Sequence, residues 1–297
     1  MSDNTNLVAE AAKITNTPAV TTTSAKKKRG RPRKDGSLVK QYSGMGADEL
    51  YRAFKFYKDI AFDLYESDNI CKLFVTQKHF IFTNNDIIAL VKHPPLNNNV
   101  FLNIHNLHLG SIASFLLEHK TDPVRLVQNG PYTISFVCNE NEIKTIKGQP
   151  VYDIRDYSIG STIRQFEQSG GLICDKTQIT NVPTYHGREW HSESDYEQIL
   201  FVKEPQESMI TMSGLTYDSD YDEESGTDWV KEHLSPLCVI NDLTAYKTTP
   251  YNCEIRIKHR LFDLVNKYMG DDAYTFKFTS DALVINSNKG ERNIILK

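Results

Sequence analysis

The sequence predicts an α+β fold of two tandem, similar halves behind a disordered basic tail, and three observations carry that reading. Residues 1–44 hold nine Lys/Arg against three acids, a net of +6, so the remainder of a chain whose total is −4 carries −10. Apolar periodicity begins only past Gly44-Met45-Gly46 and then switches repeatedly between helical and strand spacing. A strand, a helix and a hairpin also recur at an offset of about 150 residues, which is half the chain. These set expected boundaries of 1–44 for the tail, 45–148 for a first unit and 149–297 for a second, with an insertion near 174–208.

Composition allows a substantial core, with 39% apolar and 10% aromatic residues. The N-terminus lacks the apolar stretch of a signal peptide, and no run approaches the ~18 apolar residues of a membrane span. The expectation is a soluble intracellular protein with no membrane partner. Five cysteines, Cys71, Cys138, Cys174, Cys238 and Cys253, are odd in number and never paired as C-x-x-C, so they read as buried thiols in a reducing compartment.

The tail is rich in Ser, Thr, Asn and Lys and too poor in large apolar side chains to offset chain entropy. It carries seven basic residues within nine positions, Lys26 to Lys34. Within these, Lys28-Arg29-Gly30-Arg31-Pro32-Arg33-Lys34 resembles the AT-hook. Gly30 removes a side chain where backbone meets the groove floor, and Pro32 holds the strand extended. Arg29 and Arg31 then suit the narrow minor groove of A/T-rich double-stranded DNA, with Lys28, Arg33 and Lys34 toward phosphates. A nuclear-import signal needs only the same charges and stands beside this reading.

Asp48 is placed to cap a helix to about Glu66, with Leu50, Ala53, Phe54, Tyr57, Ile60, Ala61 and Leu64 on one face. Strands follow at Lys72–Thr76, His79–Thr83 and Ile87–Val91. A second round has a strand at Val100–Ile104 and a helix at Asn106–His119, whose stripe is Leu109, Ile112, Ala113, Leu116 and Leu117. Its hairpin joins Val124–Gln128 to Tyr132–Cys138 through Asn129-Gly130. A third round opens with a strand at Val151–Arg155 and a helix at Asp156–Gln168, using Ile159, Ile163 and Phe166. Lys144–Asp153 is the expected connector between the halves. In the fourth round Cys253–Ile257 alternates, Lys258–Met269 is amphipathic, and strands follow at Tyr274–Thr279, Leu283–Asn286 and Asn293–Lys297.

This order resembles the DNA sliding clamps, the ring-shaped processivity factors, and among them the two-domain subunits of phage, archaeal and eukaryotic rings. The local matches are Asn103–Glu118, NIHNLHLGSIASFLLE, and Cys253–Lys297, ending TFKFTSDALVINSNKGERNIILK. With the helices at 48–66 and 156–168 they cover about two thirds of residues 45–297. The resemblance implies tandem clamp-like domains of β-α-β-β-β units, no enzymatic activity, no cofactor, and a viral (phage) homotrimer around duplex DNA. It also implies a DNA polymerase and a clamp loader as partners, and residence with the DNA in host cytoplasm, nucleoid or nucleus. Four helices would line the pore, with Arg52, Lys55 and Lys58 on the first and Arg256, Lys258, Arg260 and Lys267 at the fourth facing DNA. His105, His108, His119 and Lys120 at the second helix, and Arg155 and Arg164 at the third, add little charge. In clamps the pocket beneath the connector receives short motifs of replication proteins. The rival is an AT-hook transcription or chromatin-organising factor with a protein-interaction body.

Other constellations fail their tests. The acidic run Asp218–Asp228 has Glu223 where a calcium loop needs glycine and Trp229 where it needs a bidentate Glu, so a solvated loop is expected. His186 and His191 have an H-x4-H spacing, but no helix pattern surrounds them and Cys174 is distant, so no metal site is expected. Phosphate loops, nucleophile elbows and acid/base pairs are absent from the sequence.

Overall fold

The computed structural model describes residues 46–63, 71–93, 95–96, 102–105, 107–138, 142–150, 158–186, 196–222, 227–250, 252–270, 273–288 and 290–297. The tail with its AT-hook-like stretch, the expected strand at 151–155, Leu64 and His191 lie outside them. Residues 43–297 form one compact unit, mixed α+β as the sequence predicts.

Helix α1, Ala47–Asp63, buries Leu50, Ala53, Phe54, Tyr57, Ile60 and Ala61, the stripe expected from its spacing. Strands β1 (Lys72–Val75), β2 (His79–Thr83) and β3 (Ile87–Lys92) form a meander, and β4 (Leu102–Ile104) returns antiparallel beside β1. Helix α2, Leu107–Glu118, then leads into a second meander of β5 (Val124–Gly130), β6 (Thr133–Cys138) and β7 (Glu142–Lys147). A two-residue strand β8, Gln149–Pro150, pairs with β4. Helix α3, Ile159–Gln168, and strand β9, Gly171–Asp175, follow.

The same wiring then recurs. Strands β10 (Gln198–Lys203), β11 (Ile210–Asp222) and β12 (Thr227–Ile240) form a meander, β13 (Thr244–Tyr246) pairs with β9, and β14 (Cys253–Lys258) returns beside β10. Helix α4, His259–Met269, leads into the closing meander β15 (Tyr274–Phe278), β16 (Leu283–Ser287) and β17 (Arg292–Leu296). The order β4-β1-β2-β3 is thus matched by β14-β10-β11-β12, and β5-β6-β7 by β15-β16-β17. Ile104 and Ile257 lie in the matched strands β4 and β14, and Val124 and Tyr274 begin β5 and β15. The halves join because β17 pairs antiparallel with β3, Arg292 opposite Val91 through Leu296 opposite Ile87. One ten-stranded sheet results, β13-β9-β15-β16-β17-β3-β2-β1-β4-β8.

Side chains alternate cleanly across that sheet. Leu73, Val75, Phe80, Phe82, Ile87, Ala89, Val91, Ile285, Ile294 and Leu296 enter the main core with α1, α2 and α4. Phe74, Ile81, Ile88, Leu90, Ala282, Val284 and Ile295 point the other way and meet Ile159, Ile163 and Phe166 of α3. The expected layer of four helices is therefore corrected. The stripe on α3 was identified from its spacing, but it packs on the sheet face opposite the other three helices.

Other departures have local causes. Leu117 is 49% exposed rather than in the stripe, since Leu109, Ile112, Ala113 and Leu116 already fill the face of α2. The hairpin turn sits at Pro131-Tyr132, two residues past Asn129-Gly130, because a register shift between Gln128 and Gly130 extends β5 and Asn129 Nδ2 donates to Ser135 Oγ at 2.6 Å. Residues 144–147 of the expected connector belong to strand β7. The acidic run expected as a loop lies mostly in strand, Asp218–Asp222 in β11 and Thr227–Asp228 in β12. Pairing of Asp218 opposite Lys231 and Asp220 opposite Trp229 continues the ribbon past the end of β10. Within the stretch expected as an insertion, β10 is a central strand with Ile199, Leu200 and Phe201 buried.

All five cysteines are free, and Cys138, Cys174 and Cys253 are buried. Burial pushes the Cys174 thiol up to about 12 and the Cys138 thiol up to about 11.

Candidate functional site

Two sheet edges stand out. Strand β7 borders only β6, and β12 borders only β11, so among the described residues neither edge is paired with a second strand, though Asn181 Nδ2 donates to the Leu237 carbonyl of β12 at 3.3 Å. Such edges are templates for another strand. They also carry a large share of the exposed apolar side chains: Ile143 on β7 is 56% exposed, Leu234 on β12 55% and Val239 on β12 49%. By the matched strand order, β7 holds in the first half the place that β17 holds in the second, and β12 holds the place of β3. The edges β7 and β12 thus hold the positions at which β17 and β3 pair inside the chain. No edge residue was singled out from sequence. Alternation marks which side chains face inward, but not which strands lack a neighbour.

The helix face is the second feature. On α1, Arg52 meets Asp48 at 3.0 Å, Lys55 lies 3.9 Å from Asp59, and Lys58 is exposed. Lys120, just past α2, reaches Asp48 at 3.3 Å. His119 lies between Asp122 at 3.0 Å and Glu142 at 2.6 Å, tying the end of α2 to the start of β7. On α4, Arg260 stacks over the Tyr185 ring at 5.6 Å and Lys267 pairs with Asp263 at 2.6 Å. Arg52, Lys55, Lys58, Arg260 and Lys267 are thus on helices of one layer.

Two expected members of that set are elsewhere. Arg256 is a residue of strand β14, held by Glu232 at 2.7 Å and Glu254 at 2.8 Å, which raise its guanidinium pKa, and its Nη1 donates to the Tyr217 hydroxyl at 3.4 Å. Lys258 ends the same strand and meets Asp86 at 3.4 Å. Arg164 sits on α3, on the other sheet face, and Arg155 lies outside the described residues.

A segment the sequence left undefined stands beside α4. Residues 176–186 begin with a single 3-10 turn, Lys176–Gln178, and continue without regular secondary structure. His259, fully buried, places Nε2 2.9 Å from the Pro183 carbonyl and Nδ1 3.1 Å from the Tyr196 carbonyl, so both residues meet the first turn of α4. Lys176 Nζ donates to the Gly270 carbonyl at the far end of the helix. A cavity of about 230 Å³ at the other helix border is lined by Asp48, Glu49, Arg52, Glu291 and Arg292. Its mixed charges suit neither a cation nor an anion in particular. Among the described residues, no group of three or more His, Cys, Asp or Glu is placed to hold a metal, and no helix is long and apolar enough to cross a membrane.

No protein-family profile matches the sequence, and no curated protein matches it. Solved structures do. The DNA polymerase sliding clamp of Bacillus subtilis is similar over 88% of this chain and 65% of its own, at 12% identity and a TM-score of 0.51. The Pseudomonas aeruginosa sliding clamp with ligand aligns at 11% identity and a TM-score of 0.49, over 85% of this chain and 64% of its own. The DNA polymerase III subunit beta of the same organism aligns at 12% identity and 0.49, over 94% and 69%. The chain thus spans somewhat under two thirds of the length of the first two. Its fold is sliding-clamp-like, resembling the bacterial sliding clamps.

Proposed function

We propose that this chain is a non-catalytic DNA sliding clamp, a processivity factor whose copies join through β7 and β12 into a ring around duplex DNA. The observation that carries the reading is the repeated strand order, with one internal junction already made and two matching edges left unpaired. A head-to-tail contact that closes by rotation gives a ring rather than a fibre. The two-unit chain, with boundaries near 148–149, fits a homotrimer of six units. The helices α1, α2 and α4 would face the DNA, with Arg52, Lys55, Lys58, Arg260 and Lys267 nearest the phosphates; Arg256 and Lys258 are better placed to hold the sheet.

On this reading, Lys28–Lys34 adds a tether to the A/T-rich minor groove and raises the local DNA concentration before closure. A DNA polymerase and a loader that opens the ring follow as partners, with the protein residing where the DNA is, in a phage or other viral setting. Native mass spectrometry and retention on circular against linear duplex test the core claim. Wild type should be a trimer that stays on nicked circular DNA and slides off linear DNA. Ile143→Asp with Leu234→Asp should give a folded monomer with at least 100-fold weaker assembly. A wild-type monomer that binds both DNAs alike, through the tail only, would return the rival AT-hook transcription or chromatin factor.

A further inference from the structure

Among the described residues, helix α3 has no counterpart in the matched wiring. Among the described residues it has the far face of the ten-stranded sheet to itself, while α1, α2 and α4 share the other. It lies where the halves meet. Its three apolar anchors, Ile159, Ile163 and Phe166, pack on Phe74, Ile81, Ile88 and Leu90 from the first half and on Ala282, Val284 and Ile295 from the second. The patch therefore spans the β3–β17 junction.

The C-terminal end of the helix is held from the second half. Lys277 on β15, only 4% exposed, donates from Nζ to the carbonyls of Phe166 at 2.7 Å, Glu167 at 3.1 Å and Ser169 at 3.3 Å. Lys247 Nζ donates to the Gln168 carbonyl at 2.6 Å. Four consecutive carbonyls that the helix cannot satisfy internally are thus met by two ammonium groups, where helix-end charge favours cations. Asn293 on β17 donates from Nδ2 to Glu167 Oε1 at 3.1 Å, and Lys297 lies over the Phe166 ring at 5.4 Å. The chain leaves through Gly170-Gly171, where an added Cβ would come 2.2 Å from the Thr248 carbonyl oxygen and 2.6 Å from that of Phe278. Only glycines let the chain pass this closely to Thr248, just beyond β13, and to Phe278 of β15.

We propose that α3, fastened by Lys277, is a clasp across the β3–β17 junction that keeps the halves of one chain joined while the β7–β12 junctions between copies open. The second clause rests on the ring reading; the first does not. The free edges of β7 and β12 have no such helix over them among the described residues, so a closed ring would alternate clasped and unclasped junctions.

Hydrogen exchange read by mass spectrometry on the full-length protein tests this. In the wild-type assembly, peptides covering β7 and β12 should exchange at least ten-fold faster than those covering β3 and β17. Lys277→Met should speed exchange in β3 and β17 at least ten-fold while peptides of β5 and β6 stay unchanged. Lys247→Ala, at the surface, should give a smaller rise at the same place, and it carries the test if Lys277→Met does not fold. No change in β3 and β17, or a rise spread evenly over the chain, overturns the clasp, as do equal rates at both kinds of junction. If the protein is a monomer, the ring reading fails, while exchange in β3 and β17 still decides the clasp.

Discussion

The two halves share a strand skeleton but differ in what covers it. In the first, α1 lies beside α2, and its place is set by apolar packing: Leu50, Ala53, Phe54, Tyr57 and Ile60 are all fully buried. In the second, the passage between β9 and β10 is described from 176 to 186 as a 3-10 turn and irregular chain beside α4. Ile179 is its one buried large apolar residue, with Val182 packed against the core, and its carbonyl contact to His259 does much of the holding. One sheet layout thus tolerates two kinds of cover, one held by buried area and the other by polar contacts to backbone.

Three substitutions sharpen that contrast. Phe54 packs edge-on against Tyr57, Phe80 and Phe136, so Phe54→Ala should cost about 3–5 kcal/mol and lower the melting temperature of the whole unit. A loss under about 1 kcal/mol in denaturant unfolding would mean that α1 is not held by its core face. His259→Leu removes the partner of two carbonyls, and about 1–3 kcal/mol should go with it. Its signature should be local: faster proteolysis within 179–185, with α1 and β1–β3 still protected. Uniform loss of protection would erase the distinction between the halves. Arg256→Ala breaks contacts on a partly exposed strand face and should change stability by less than about 1 kcal/mol in the same unfolding assay. A larger loss would make the outer charges of the second half structural.

Much of the scaffold was legible in the sequence because period alone decides it. Leu50 to Ala61 repeat every three or four residues, and Cys253, Ile255 and Ile257 every two, so helix and strand separate without help from tertiary context. What period cannot give is the identity of the surface opposite. Ile159, Ile163 and Phe166 were identified as one stripe, yet nothing in their spacing says which side of a sheet they meet. Lys277 sits between Phe276 and Phe278 and so reads as the outward residue of a half-exposed strand; only the end of α3 arriving above it makes it buried. The long β11–β12 ribbon was missed because Asp218, Asp220 and Asp222 are poor strand formers, and pairing with β12 overrides their preference. As for the site, the basic side chains were identified by type, but Arg256 belongs to a strand and the free edges have no local signature.

The β17–β3 pairing also bears on how the molecule is made. Strand β3 finishes at residue 92, yet its partner is built from residues 292–296, with Lys297 N–H donating to the Asp86 carbonyl at 3.0 Å. While the chain is being translated, the border of β3 stays bare until residues 292–296, about 200 positions further on, have left the ribosome. The nascent protein therefore carries an adhesive strip over that whole interval, and residues 292–296 act as the zip that seals it.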